Sequence, residues 1–152
     1  MNNQEVIAKL NWFYSLEVHQ VDIYKTQSNL VNDEYLSRAL RKFADIEQTH
    51  VENIARLIER LGGTPTVIGE VVGEILGKIS GRIVPITGLE NQLKFNVALE
   101  KKAMEDYKDL ILKAGREDIF ETLWNNLLDE DLHTAWMVNK IEELAKNQSL
   151  KA

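Results

Sequence analysis

The sequence predicts an all-α fold: an antiparallel four-helix bundle made of two helical hairpins, joined by a long crossover that contains an extra helix. Apolar residues recur at steps of three and four through most of the 152 residues, which is the period of a helix. There are only two prolines, and 44% hydrophobic with 28% charged residues is typical of a helix-rich globular chain. We expect one domain over residues 1–152, with the crossover at about 64–89.

The first hairpin is predicted from two apolar stripes separated by a short link. Residues 4–30 carry the first stripe, formed by Leu10, Phe13, Val21 and Tyr24. The second begins after Asn32 or Asp33, either of which can cap a helix, and continues over residues 36–61. Gly-Gly-Thr-Pro at 62–65 then stops it. Because the link is short, the two helices should be antiparallel neighbours.

The second hairpin follows the same plan. Residues 90–114 carry a stripe formed by Leu93, Val97, Met104 and Tyr107, and Gly115 ends it. Glu117 and Asp118 are acidic residues that suit a helix N-terminus. The fourth helix is expected to continue to about Lys146 through Leu123, Leu127, Met137, Ile141 and Leu144.

The crossover carries a glycine at every fourth position, at Gly69, Gly73, Gly77 and Gly81. Each glycine inside a helix costs about 1 kcal/mol relative to alanine, so close contact must offset the cost. One interpretation is a crossover helix packed closely on the bundle. The other is flat contact with a membrane surface or an apolar ligand.

Composition excludes several classes of function. The chain has no cysteine, so disulfides, thiolate nucleophiles and iron–sulfur clusters are excluded. The net charge is −6, from 24 acidic and 18 basic residues, which argues against nucleic acid as a partner. The polar, acidic start does not resemble a signal peptide, and no apolar run could cross a membrane. We therefore expect a cytoplasmic protein, with peripheral contact at the inner face of the membrane as an option.

Two Glu-x-x-His motifs lie in phase with the apolar stripes. Glu47 and His50 fall in the second predicted helix, and Glu130 and His133 fall in the fourth. Residues three apart lie on one helical face, so both side chains of a pair can bind one metal. Ionised carboxylates in a core are very costly unless a cation neutralises them. The motifs therefore predict a buried metal site.

The other two helices supply matching carboxylates. Glu17 lies thirty residues before Glu47, and Glu100 lies thirty residues before Glu130, each inside an apolar stripe. A tyrosine follows each of them by seven residues, Tyr24 and Tyr107. The chain thus repeats one hairpin unit twice. His19 is out of phase with Glu17 and is expected at the surface.

Four carboxylates and two imidazoles without sulfur suit two octahedral iron ions, with manganese as an option, and disfavour structural zinc. Glu17 and Glu100 are expected to bind one metal each or to bridge, and Glu47 and Glu130 to bridge or chelate. The predicted ligands are Glu17, Glu47, His50, Glu100, Glu130 and His133.

These motifs resemble the ferritin-like di-iron carboxylate superfamily, from Glu17 to His133 and beyond. Within it the chain is most similar to the demethoxyubiquinone hydroxylases, through Pro-Thr at 65–66, the glycine-containing crossover and the two tyrosines. The resemblance implies the same six metal ligands. It also implies that Tyr107, and Tyr24 by position, take part in catalysis near the metals. Glu-Asp at 105–106 stands where that family usually has a His pair.

The resemblance implies a di-iron oxidoreductase that activates O2 or peroxide, as a quinone-ring monooxygenase. The alternative is a protein similar to rubrerythrin or bacterioferritin, with ferroxidase, peroxide-scavenging or iron-storage function. Expected partners are O2 or peroxide, a quinone or other apolar small molecule, an electron donor of unknown identity, and further copies of the chain. A metal-free interaction bundle is the contrasting hypothesis, based only on the glycine pattern.

Overall fold

The computed structural model describes residues 1–69, 71, 73 and 88–150. Four helices account for most of this part: α1 (Asn3–Leu30), α2 (Glu34–Arg60), α3 (Leu89–Ala114) and α4 (Glu117–Ser149). No strand occurs among the described residues. The prediction of an all-α four-helix bundle is confirmed, and α4 extends three residues beyond its predicted end.

The helix boundaries follow from local chemistry. The side chain of Asn2 accepts a hydrogen bond from the backbone N–H of Glu5, and the Glu5 carboxylate accepts one from the backbone N–H of Asn2. The two hydrogen bonds form a capping box at the start of α1. Asp33, one of the two predicted candidates, caps α2 by accepting from the backbone of Leu36 at 2.8 Å. Gly115 ends α3 in the left-handed conformation, with φ of 57°. Glycine adopts this conformation at a lower free-energy cost than residues with a side chain.

The bundle is assembled from two hairpins. α1 packs mainly against α2, and α3 packs mainly against α4, as the short links predict. Two apolar clusters fill the interior, one containing Leu10, Leu57 and Leu123, the other containing Leu40, Leu93 and Met137. The six predicted ligands belong to neither cluster and lie between them along the helices, so the core has two apolar ends and a polar middle.

The crossover begins over α1. The Ser15 hydroxyl accepts from the backbone of Ile68 at 2.7 Å, and Asn11 accepts from the backbone of Thr66. Val71 is buried in the same apolar cluster as Leu57. Gly77, Gly81 and most of the predicted crossover helix lie outside the described residues, so neither interpretation of the glycine pattern is tested. Within the described part, no helix is long and apolar enough to cross a membrane.

Candidate metal centre

The bundle brings all six predicted ligands together. Their side chains are buried, and none is more than 2% exposed. They form two overlapping groups whose ligand atoms lie within 4.8 Å of one another. One group is Glu17, Glu47, His50 and Glu130, and the other is Glu47, Glu100, Glu130 and His133. We call these the His50 subsite and the His133 subsite.

Glu47 and Glu130 belong to both subsites. The repeat explains why, because each is the Glu of a Glu-x-x-His motif, on helices α2 and α4 that face each other across the centre. Glu17 and Glu100 each belong to one subsite. The arrangement therefore assigns the shared positions, which spacing alone left open, to Glu47 and Glu130.

Both imidazoles direct Nδ1 toward the carboxylates. His50 Nδ1 lies 3.0 Å from Glu47 and 3.2 Å from Glu130. His133 Nδ1 lies 3.0 Å from Glu47 and 3.4 Å from Glu130. Each histidine thus contacts both shared carboxylates, so one nitrogen from each ring is available as a metal ligand on its own side of the centre.

The donor set fits two cations. Several buried atoms of the centre have no hydrogen-bond partner within the described part of the chain, and they belong to Glu17, Glu47, Glu130 and His133. Such orphaned atoms are rare in folded proteins and cost free energy unless something binds them. Because they are anionic oxygens and imidazole nitrogens without sulfur, the chemistry suits two iron ions, and manganese also fits.

Two tyrosines connect the hairpins through the outer ligands. Tyr107 on α3 donates a hydrogen bond to Glu17 on α1, and Tyr24 on α1 donates to Glu100 on α3. Each hairpin therefore holds the outer carboxylate of the other. In the sequence, each tyrosine lies two turns after a ligand on its own helix. Its hydrogen bond to the ligand on the other hairpin is seen only in the three-dimensional structure.

Sequence reasoning missed three polar neighbours of the centre. Gln20 donates to Glu100 at 2.9 Å, and Asn126 donates to the Tyr107 hydroxyl at 3.2 Å. Asp129 Oδ2 lies 3.1 Å from His50 Nε2. Gln20 and Asn126 are polar residues in phase with an apolar stripe, a signal that could have found them. His19 is half-buried and belongs to neither subsite.

The electrostatics of the metal-free cluster favour bound protons. Burial, and next the charge of Glu47, raises the pKa of Glu17 to about 8. Burial and the neighbouring carboxylates, first Glu100, also raise the pKa of Glu130 well above its usual range. Burial opposes charge on His133, but its carboxylate contacts dominate and raise its pKa to about 12. Protonation of these groups would therefore offset negative charge that cations otherwise neutralise.

The pKa of Glu47 shifts in the opposite direction to those of Glu17 and Glu130. Burial tends to raise its pKa, but the contacts with His133 and His50 outweigh burial and lower the pKa to about 2. Glu47 is thus ionised in the metal-free protein and presents a charge to both subsites.

These features define a class: a four-helix bundle whose interior holds a centre for two metal ions shared between two hairpins. The sequence model of the ferritin-like domain family matches residues 7–147, and the chain belongs to that family.

Two solved structures show the same fold. A bacterioferritin from Desulfovibrio desulfuricans, described with a di-iron site in different catalytic states, has a TM-score of 0.79 at 21% identity, covering 95% of this chain and 82% of that one. A dodecameric thioferritin, the bacterioferritin-related protein of Bacteroides fragilis, has a TM-score of 0.81 at 18% identity, covering 98% and 91%. No curated protein matches. Neither structure is a demethoxyubiquinone hydroxylase, so that relationship stays a prediction.

Metal binding should strengthen as pH rises. Glu17 and His133 hold protons at neutral pH in the metal-free protein, so a cation must displace them. We expect the dissociation constant for Mn²⁺ to fall by about tenfold per pH unit for each proton released, between pH 6 and 8. Calorimetry in two buffers of different ionisation enthalpy measures the protons released. The Glu17→Gln variant should release fewer, and a pH-independent constant would contradict the assignment.

Proposed function

We propose that the protein is a di-iron oxidoreductase that reduces O2 or peroxide, with ferrous iron as the source of electrons. The observation that carries the proposal is the pair of subsites that share Glu47 and Glu130. Two ferrous ions bound in these subsites would supply two electrons, which with two protons reduce O2 to hydrogen peroxide. The family and the bacterioferritin-type fold support this ferroxidase reaction.

The residues of the chain support the reaction in separate ways. Glu47 and Glu130 would each help to hold both metals, because each belongs to both subsites. Tyr24 and Tyr107 fix the outer carboxylates, and their pKa values are raised by burial and by the charge of those carboxylates, so each hydroxyl keeps its proton. We assign the tyrosines the role of hydrogen-bond donors that orient the outer ligands. The two apolar clusters keep bulk water away from the centre.

Removal of a shared ligand should abolish iron oxidation. The Glu47→Gln variant keeps the shape of the side chain but loses a charge that both subsites use. Changes outside the ligand set cost about 10- to 100-fold in metal affinity, so we expect a larger loss here. Metal content and O2 consumption after addition of ferrous iron measure it.

Glu52→Gln is the matched control, because Glu52 is exposed on the same helix and belongs to neither subsite. This variant should consume O2 as the unmodified protein does. Full iron binding by Glu47→Gln would overturn the ligand assignment.

A quinone-ring monooxygenase is the second candidate, favoured by one cleft. It has a volume of about 830 Å³, and Trp12 and Phe13 line it together with charged residues of α1 and α3, among them Lys102 and Asp106. Phe13 stacks on Tyr107 with ring centroids 4.1 Å apart, and Tyr107 donates to Glu17. A flat ring in this cleft would be two side chains from a metal ligand.

The two candidates differ in their response to a short-chain benzoquinone. Monooxygenation requires a reductant and predicts a hydroxylated quinone by mass spectrometry, with O2 consumption beyond the iron added. Ala8 is exposed and lines the cleft, so Ala8→Trp should block that product and leave iron oxidation unchanged. Absence of the product with the unmodified protein and a reductant would contradict the second candidate.

We also propose that the protein assembles with further copies of itself. Four large apolar side chains, each at least 43% exposed, follow one another every four residues along α4: Phe120, Trp124, Leu128 and Leu132. The equivalent positions of α2 are polar: Ser37, Arg41, Asp45 and Thr49. This α4 stripe spans about 18 Å, and a contiguous exposed apolar patch of this kind is typical of a protein–protein contact. The dodecameric assembly of the thioferritin supports the proposal that the α4 stripe binds a second copy of this chain.

Light scattering after size exclusion tests the assembly. Trp124→Glu places a charge in the α4 stripe, and we expect a smaller particle than the unmodified protein forms. Arg41→Glu at the equivalent α2 position is the control and should not change the size. A monomeric unmodified protein, or an unchanged assembly of Trp124→Glu, would contradict the proposal.

A further inference from the structure

The two subsites have equivalent ligands but different surroundings. Asp129 comes directly before Glu130 in α4, and its Oδ2 lies 3.1 Å from His50 Nε2. Ile46 holds the equivalent position in α2, directly before Glu47. Ile46, Asp129 and His133 line the same depression between α2 and α4, and Asp129 pairs with His50. The His50 imidazole therefore has a carboxylate partner, whereas the equivalent position next to the other motif holds a hydrocarbon side chain.

The two histidines differ in the hydrogen bonding of Nε2. His133 Nε2 is buried and has no hydrogen-bond partner among the residues that the structure describes. His50 Nε2, in contrast, can donate to Asp129, which keeps a proton on Nε2, so Nδ1, on the side of Glu47 and Glu130, is the nitrogen that would give up its proton to bind a metal. A hydrogen bond of this kind fixes the ring orientation and increases the basicity of the ligating nitrogen.

We propose that Asp129 is a positioning residue that makes the His50 subsite bind its metal first and more tightly, and that Ile46 leaves the His133 subsite the weaker one. The inference rests on the proposed two-metal centre. Removal of a group that holds a ligand costs about 10- to 100-fold in metal affinity, which sets the expected preference. The metal of the His133 subsite is then the exchangeable one, loaded second and released first.

The experiment uses the full chain and Co²⁺ alone. Crystals grown with one equivalent of Co²⁺ should show anomalous scattering mainly at the His50 subsite, and calorimetry should give two binding steps. In Asp129→Ala the first step should weaken by at least about tenfold and the anomalous signal should divide between the subsites. Ile46→Asp provides the missing acceptor for His133, so it should strengthen the second step and reduce the preference.

Asp131→Ala is the matched control. Asp131 is exposed and also adjoins Glu130, so the variant removes the same charge without touching His50. It should keep the preference of the unmodified protein. Equal occupancy in the unmodified protein, an unchanged preference in Asp129→Ala, or the same loss in Asp131→Ala would overturn the inference.

The failure of this inference is distinct from the failure of the proposed function. Binding of two Co²⁺ ions with equal occupancy would support the two-metal centre and contradict only the proposed order of loading. Absence of Co²⁺ binding at one or two equivalents would contradict both the metal centre and the order of loading.

Discussion

The burial of four carboxylates and two imidazoles in one layer of the core is the constraint on which the structure depends. Each isolated ion in a protein interior costs several kcal/mol, so the layer exists only because opposite charges, protons or cations share it. The two apolar clusters lie on either side of this layer and supply the hydrophobic stabilisation that it lacks. Fold and chemistry are therefore arranged around the same six side chains.

Long regular helices suit this task. A helix places residues three apart on one face, and it satisfies its own backbone, so the charged layer adds only side-chain groups to the core. Four rigid helices hold the ligands from four directions, which loops would do less accurately. The short links keep each Glu and its Glu-x-x-His motif in neighbouring helices, and the crossing tyrosines then join one hairpin to the other.

The helices and the ligand set were predictable from the sequence, because both depend on short-range patterns along the chain. The apolar period predicts the four helices, and Gly115 predicts the end of α3, while the sequence leaves the start of α2 open between Asn32 and Asp33. The core phase of the four glutamates predicts that they lie together. What local pattern could not give is the contact between helices distant in sequence. That Glu47 and Glu130 are the shared pair, that Tyr24 reaches Glu100 and not Glu17, and that Asp129 reaches His50 all depend on packing.

The repeat within the chain is exact for the ligands and broken for their neighbours. Gln20 corresponds to Ala103, Phe43 to Asn126, and Ile46 to Asp129, although every ligand has its twin 83 positions away. Two metal ions bound at such a centre would therefore have equivalent ligands but different neighbouring residues. The matched ligands make a two-metal centre possible, and the unmatched neighbours make its two subsites chemically inequivalent.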